Sequence, residues 1–117
     1  MTKTVITLAQ MTCQLHDKQG NFKRMKEIVR KTKGKIVIFP ELTLTGYLPR
    51  DDLHVLAENS DGPVIKSVAN LAKDTGKDIV FGAPIKDDSV HGLLYNSCLL
   101  ATANGKLHRY DKMYLPT

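Results

Sequence analysis

The stretch Ile36-Val37-Ile38-Phe39-Pro40-Glu41-Leu42-Thr43-Leu44-Thr45-Gly46-Tyr47 decides the fold that we predict for this chain. Its first four residues are apolar and three of them are β-branched, which is typical of a short parallel-sheet strand buried on both faces. Pro40 has no backbone N–H, so the hydrogen-bond ladder of the strand stops there. Glu41 follows at once, and ligands of open α/β sheets bind beyond the carboxyl ends of strands. Glu41 is therefore a candidate chemical group, and the alternative is an ordinary solvated acid.

The sequence before this stretch predicts a strand and a helix. Residues 3–11 alternate loosely between apolar and polar side chains, which indicates a first strand. A helix is then expected from Asn21, as its N-cap, to about Thr32, with Gly34 ending it. Strand, helix and strand joined by short connections form a right-handed unit with parallel strands.

The sequence after this stretch repeats the same order. Residues 48–57 predict a loop that could hold a short helix. Pro63 is suited to the first turn of a second helix, and Gly76 is its expected end. Residues 78–84 predict a third strand with apolar side chains on both faces. The alternation of strands and helices is that of an α/β fold.

The pattern changes near the end of the chain, where an antiparallel hairpin is expected. Residues 94–103 and 106–110 predict two strands joined by a tight turn at Asn104-Gly105. A hairpin added to parallel strands makes the sheet mixed. Lys112 comes just beyond the second hairpin strand, as Glu41 comes beyond its own, although by itself it could equally be a surface lysine.

Length and composition place the chain among single-domain soluble proteins. Its 117 residues, 42% hydrophobic and 25% charged, are enough to form a hydrophobic core without disulfides or a structural metal. No apolar run is long enough for a membrane span, and the N-terminus does not resemble a signal peptide. Cys13 and Cys98 form no CxxC motif, so we expect reduced thiols in a cytoplasmic protein. The net charge of +5 comes largely from residues 23–35, which we interpret as the solvated face of one helix; nucleic-acid binding through this basic helix is an alternative.

Two motifs together resemble the nitrilase, or carbon–nitrogen hydrolase, superfamily. They are residues 39–47 (FPELTLTGY) and residues 110–116 (YDKMYLP). Four further matches support them: residues 9–11, Asn21, residues 81–83 and residues 94–97. Within the superfamily, residues 47–53 are most similar to the glutaminase domains of glutamine-dependent NAD synthetases and their stand-alone relatives.

This resemblance implies a four-layer αββα sandwich and a Glu–Lys–Cys triad. Carried over by motif, Glu41 is the general base and Lys112 stabilises the oxyanion, while a cysteine attacks an amide or nitrile carbon. A thiol needs a nearby base, and a cation beside the developing oxyanion stabilises it, so these residue types suit the chemistry. Tyr47 is a candidate substrate-binding residue. No cofactor is implied, and the four histidines are too scattered to suggest a metal site.

The nucleophile of the family is expected some tens of residues after Lys112, beyond the 117 residues of this sequence. Neither Cys13 nor Cys98 matches the nucleophile motif, and we interpret both as buried structural cysteines. We therefore expect residues 1–117 to be the N-terminal part of a carbon–nitrogen hydrolase domain, half of the sandwich, and inactive alone. Such a half should expose an apolar sheet face and associate with itself or with a complementary C-terminal half. A non-catalytic interaction module is the main alternative.

Overall fold

Residues 3–112, which the computed structural model describes, form a mixed five-stranded sheet with three helices. The elements follow the chain as β1 (Ile6–Leu8), α1 (Lys18–Lys31), β2 (Ile36–Ile38), α2 (Arg50–Leu56), α3 (Pro63–Thr75), β3 (Asp78–Lys86), β4 (Leu94–Ala101) and β5 (Leu107–Asp111). The strands lie in the sheet in chain order, with β1, β2 and β3 parallel and β4 and β5 antiparallel to their neighbours. The predicted α/β class and mixed sheet are thereby confirmed.

The core lies between one face of the sheet and helices α1 and α3. Met25 and Val29 of α1 and Val68 of α3 are fully buried against Val37 and Phe81 of the sheet. Burying a side chain of this kind contributes about 1.5 to 3 kcal/mol, so these contacts fix the helices on that face. In the described part of the chain, no helix is long and apolar enough to cross a bilayer.

Residues 3–112 leave most of the opposite face of the sheet uncovered, except where the loop after β2 lies against Gly82. Successive side chains of a strand point to opposite faces, so Val37 is buried while Ile36 and Ile38 are only half-buried. The expectation that β2 is buried on both faces was therefore wrong for this structure, because both long helices pack on the same side. We call the uncovered side the open face; among its side chains are Ile6, Leu8, Ile38, Val80, Leu100 and Tyr110.

Helix α1 begins earlier than the sequence pattern predicted, because Asp17 and not Asn21 is its N-cap. The Asp17 carboxylate accepts a hydrogen bond from the backbone N–H of Gly20 at 2.9 Å. Asn21 lies inside the helix with no exposed surface. Its side-chain amide donates to the carbonyls of Gln14 (2.7 Å) and Leu44 (2.9 Å), and its oxygen accepts from the Gln14 N–H (2.7 Å). Asn21 therefore ties the first loop and the helix to the loop that follows β2.

The two glycines predicted to end helices have different roles. Gly76 follows α3 with φ of 67° and ends it as predicted, and Pro63 begins that helix. Helix α1 instead ends at Lys31, and its C-cap residue, Thr32, has extended backbone geometry. Gly34 is needed for a close approach, since a Cβ there would lie 2.2 Å from Oγ1 of Thr7. The prediction that Gly34 ends the helix was wrong, because the chain has already turned toward β1.

Candidate active site

A sharp turn directly after β2 places Glu41. The N–H of Phe39 donates to the carbonyl of Val80 in β3 at 2.8 Å, and Pro40 cannot continue the ladder. Leu42 has a φ of 52°, in the left-handed region that a side chain with a Cβ rarely adopts. Its carbonyl accepts the N–H of Gly46 at 2.8 Å, which closes the turn. Glu41 is thus held on a tight loop at the carboxyl end of a strand, as the sequence predicted.

Gly82 of β3 allows this loop to lie directly against the sheet. Its carbonyl accepts the N–H of Leu44 at 3.2 Å, and its own N–H donates to Oγ1 of Thr43 at 3.4 Å. A Cβ at position 82 would lie 2.3 Å from the backbone nitrogen of Leu42 and 3.0 Å from the carbonyl carbon of Glu41. Only glycine leaves room for the loop, so Gly82 contributes to the position of Glu41.

The Glu41 carboxylate accepts three hydrogen bonds from residues in different parts of the chain. Lys112 Nζ donates to Oε1 at 3.0 Å, and Asn96 Nδ2 donates to the same oxygen at 2.6 Å. The Tyr47 hydroxyl donates to Oε2. The backbone N–H of Lys112 also donates to the carbonyl of Asn96 at 2.9 Å. The structure therefore brings all three sequence-predicted site residues together, although Glu41 and Lys112 lie 71 positions apart.

These contacts determine the protonation states of the site. The hydrogen bond from Tyr47, followed by that from Lys112, lowers the pKa of Glu41 below its ordinary value; partial burial opposes this and Asn96 adds to it. The same hydrogen bond to Glu41 raises the pKa of Tyr47. At neutral pH the site therefore presents an ionised carboxylate and a protonated phenol.

Beside the Glu41–Lys112 pair is a cavity of about 320 Å³ on the open face. Apolar side chains from β2, β3 and β5 form much of its wall, and Asn96 and Cys98 of β4 also line it. The charged pair is partly solvated, with 38% of the Glu41 side chain and 47% of the Lys112 side chain exposed. Among residues 3–112, no group of three or more His, Cys, Asp or Glu residues is arranged to hold a metal ion.

The two cysteines differ from the buried structural pair that we expected. Cys98 is exposed on the open face, because β4 places it opposite Gly82 and Tyr110, on the side of the sheet away from α1 and α3. Cys13 is half-buried, and burial raises the pKa of its thiol, against the opposing charge of Arg24. Cys13 is not among the residues that line the cavity.

Sequence reasoning assigned no role to Asn96 or Gly82. Both residues were only parts of supporting matches to the family pattern, Asn96 in residues 94–97 and Gly82 in residues 81–83 of the predicted third strand. The available signal for Asn96 was a polar side chain on the same face of β4 as Leu100. The signal for Gly82 was a glycine inside a strand, which often marks the close approach of another backbone.

Residues 5–117 match the family model described as carbon-nitrogen hydrolase, so the chain belongs to the carbon–nitrogen hydrolase family. The chain is 31% identical to a probable nitrilase of Schizosaccharomyces pombe, over 97% of this chain and 44% of that protein. It is 30% identical to the glutamine-dependent NAD(+) synthetase of Thermotoga maritima, over 99% of this chain and 20% of that protein.

Solved structures of the superfamily share the fold. A CN-hydrolase superfamily protein from Xanthomonas campestris, with an arsenic adduct in its active site, matches with a TM-score of 0.86 and 26% identity, over 98% of this chain and 42% of that one. The chain spans less than half the length of the curated relatives that it matches. The expected half of an αββα sandwich agrees with these matches and with the open face.

Proposed function

We propose that this chain supplies the base and the oxyanion-stabilising cation of a cysteine-dependent hydrolase acting on a non-peptide carbon–nitrogen bond. The observation that carries this proposal is the 3.0 Å contact between Glu41 and Lys112 at the mouth of a cavity. A partly exposed ion pair stabilises a fold by only about 0 to 1 kcal/mol, so stability is a poor explanation for four groups converging on this point. Membership of the carbon–nitrogen hydrolase family supports the same assignment.

In the proposed reaction Glu41 accepts the proton of a cysteine thiol, and the thiolate attacks the carbon of an amide or nitrile. With an amide, negative charge develops on the carbonyl oxygen, where the Lys112 ammonium stabilises it. Glu41 then returns the proton to the leaving nitrogen as the C–N bond breaks, which leaves a thioester. Water, deprotonated by Glu41, hydrolyses the thioester to a carboxylic acid and restores the thiol.

We infer that the attacking thiol lies outside residues 1–117, and that this chain is inactive alone. Neither cysteine occurs in the nucleophile motif of the family, although Cys98 lines the cavity. The apolar open face supports association with a complementary C-terminal half or with a second copy of the chain. A chain that binds such a partner without turnover would be the interaction module that we consider as the alternative.

The proposed substrate is a small-molecule amide or nitrile, with Tyr47 as a substrate-binding residue. Tyr47 is 68% exposed, and its hydroxyl donates to the carboxylate of Glu41, which lines the cavity, so Tyr47 is placed to contact a substrate bound beside Glu41. We place the reaction in the cytoplasm, because both cysteines are free, as a reducing compartment maintains them. No cofactor is required by the proposed steps.

The test joins the chain, after residue 117, to the C-terminal half of the Schizosaccharomyces pombe relative and measures hydrolysis of simple amides and nitriles. We expect activity in the joined protein and none in the chain alone. Glu41→Gln or Lys112→Ala should lower kcat/KM by at least about 100-fold. Glu27→Gln and Lys106→Ala change exposed residues of the same types outside the site and serve as matched controls.

Activity that survives both Glu41→Gln and Lys112→Ala would overturn the assignment of the site. Cys98→Ser should leave the joined protein active, since the proposed nucleophile lies on the added half. Turnover by the chain alone that Cys98→Ser abolishes would instead show that this chain carries its own nucleophile.

A further inference from the structure

The two oxygens of the Glu41 carboxylate have different numbers of hydrogen-bond donors. Oε1 accepts from Asn96 Nδ2 at 2.6 Å and from Lys112 Nζ at 3.0 Å, whereas Oε2 accepts only from the Tyr47 hydroxyl among the described residues. An ionised carboxylate has about four lone-pair positions, two on each oxygen. The contacts to Oε1 fill both of its positions, and one position on Oε2 is left.

Asn96 is suited to fix this arrangement because it contacts both charged residues. Its side chain binds Glu41, and its backbone carbonyl accepts the N–H of Lys112 at 2.9 Å. Its own strand is held on both sides, since β4 pairs with β3 at Pro84 and with β5 from position 97 onward. The amide is neutral and does not titrate, so its contribution is mainly one of orientation.

We propose, building on the function proposed above, that Asn96 is a positioning residue which, together with Lys112, occupies Oε1 and leaves Oε2 of Glu41 to take the thiol proton. The proton moves from sulfur to the remaining lone pair of Oε2 and later from Oε2 to the leaving nitrogen. An ammonium group has three N–H donors, so Lys112 can bond Oε1 and still donate to the developing oxyanion. Removing the Asn96 side chain lets the Glu41 carboxylate rotate but leaves its charge in place, so this change tests the orientation of the carboxylate separately from its charge.

The contact itself is tested by NMR on the 117-residue chain, without any need for activity. We expect the side-chain amide protons of Asn96 to shift as Glu41 titrates, and Asn96→Ala to raise the pKa of Glu41. Tyr47→Phe should also raise that pKa, but the Asn96 amide should still follow the titration. Asn70→Ala, at an exposed position on α3, is the control and should change neither signal. Amide protons of Asn96 that do not respond to Glu41 would overturn the proposal.

The role in the reaction is tested in the joined protein described above. Asn96→Ala should lower kcat by about 10- to 100-fold with little change in KM, because a misplaced reacting group slows chemistry more than binding. The acidic limb of the kcat/KM profile should move to higher pH with the pKa of Glu41. If Asn96→Ala left kcat and the pH profile unchanged, the positioning role would be overturned. Glu41→Gln would still abolish turnover in that case, so this failure is distinct from failure of the proposed function.

Discussion

Replacing Gly82 with alanine tests whether the close contact between β3 and the loop of residues 40–46 sets the position of Glu41. The added Cβ would lie 2.3 Å from the backbone nitrogen of Leu42, whereas ordinary contacts begin near 3.4 Å. The backbone of residue 82 fixes the position of the Cβ, and the atom that it meets is also a backbone atom. No rotamer change therefore relieves the contact, and the loop must move by about 1 Å. Overpacking of this kind costs about 1 to 3 kcal/mol, and we expect a value near the upper end.

The same movement should weaken the contacts of Glu41. A shift of about 1 Å carries its Oε1 out of hydrogen-bond range of either Asn96 or Lys112, so the pKa of Glu41 should rise toward its ordinary value. Urea unfolding measures the loss of stability, and a ¹³C NMR titration of the Glu41 carboxyl measures its pKa. In the joined protein, we expect kcat/KM to fall by about 100-fold.

The matched control is Gly76→Ala at the end of α3. Gly76 has a φ of 67° and no atom within 4 Å of an added Cβ, so alanine there costs about 1 to 2 kcal/mol of backbone strain and touches nothing in the site. The control should lose stability while the pKa of Glu41 stays unchanged. If Gly82→Ala kept both its stability and the pKa of Glu41, the inference that Gly82 sets the position of Glu41 would be refuted.

Three further predictions follow from other contacts. Asn21→Ala should lower the free energy of unfolding by about 2 to 3 kcal/mol in urea titrations, because it leaves buried backbone groups unpaired, whereas the exposed control Asn70→Ala should change it little. Ellman's reagent should modify Cys98 at least about tenfold faster than Cys13, because Cys98 is exposed while burial raises the pKa of the Cys13 thiol. Equal rates of modification would contradict the exposures assigned to the two cysteines. Folding lowers the pKa of Glu41, so the stability that its ionised carboxylate contributes is complete above the ordinary pKa of 4.5 and is lost as pH falls through the lower folded pKa. The urea concentration at the unfolding midpoint should therefore fall less steeply with decreasing pH in Glu41→Gln than in the unmodified chain. Equal slopes in the two proteins would disprove this linkage.

The sequence was informative where one residue has a strong local preference. Gly76 ends its helix in the left-handed conformation, and Gly105, with a φ of 90°, lies in the hairpin turn for the same reason. The connection is longer than the predicted Asn104-Gly105 turn, since β4 ends at Ala101 and β5 begins at Leu107. The order of strands and helices also followed from hydrophobic periodicity. Glu41 and Lys112 could be paired in advance only through the resemblance to a family, since nothing local in the chain relates positions 71 apart.

The errors arose where tertiary contacts decide the outcome. Asn21 has the features of an N-cap, but three hydrogen bonds to distant backbone groups satisfy it inside the helix. Cys98 is of a residue type that is usually buried, yet it lies on the sheet face opposite α1 and α3. The contact of Asn96 with Glu41 depends on the register of β4 against its neighbours, which no single stretch of sequence determines.

The location of the charged pair beside the open face has a consequence for any polypeptide that settles there. Covering Ile38 and Val80 would also displace water from the cavity next to Glu41 and Lys112, since the same cavity borders all four side chains. Attraction between opposite charges grows as the local dielectric constant falls, from about 1 kcal/mol in water at 4 Å to about 4 kcal/mol at an effective dielectric constant of 20. A polypeptide that packs on the open face would therefore also strengthen the attraction between Glu41 and Lys112.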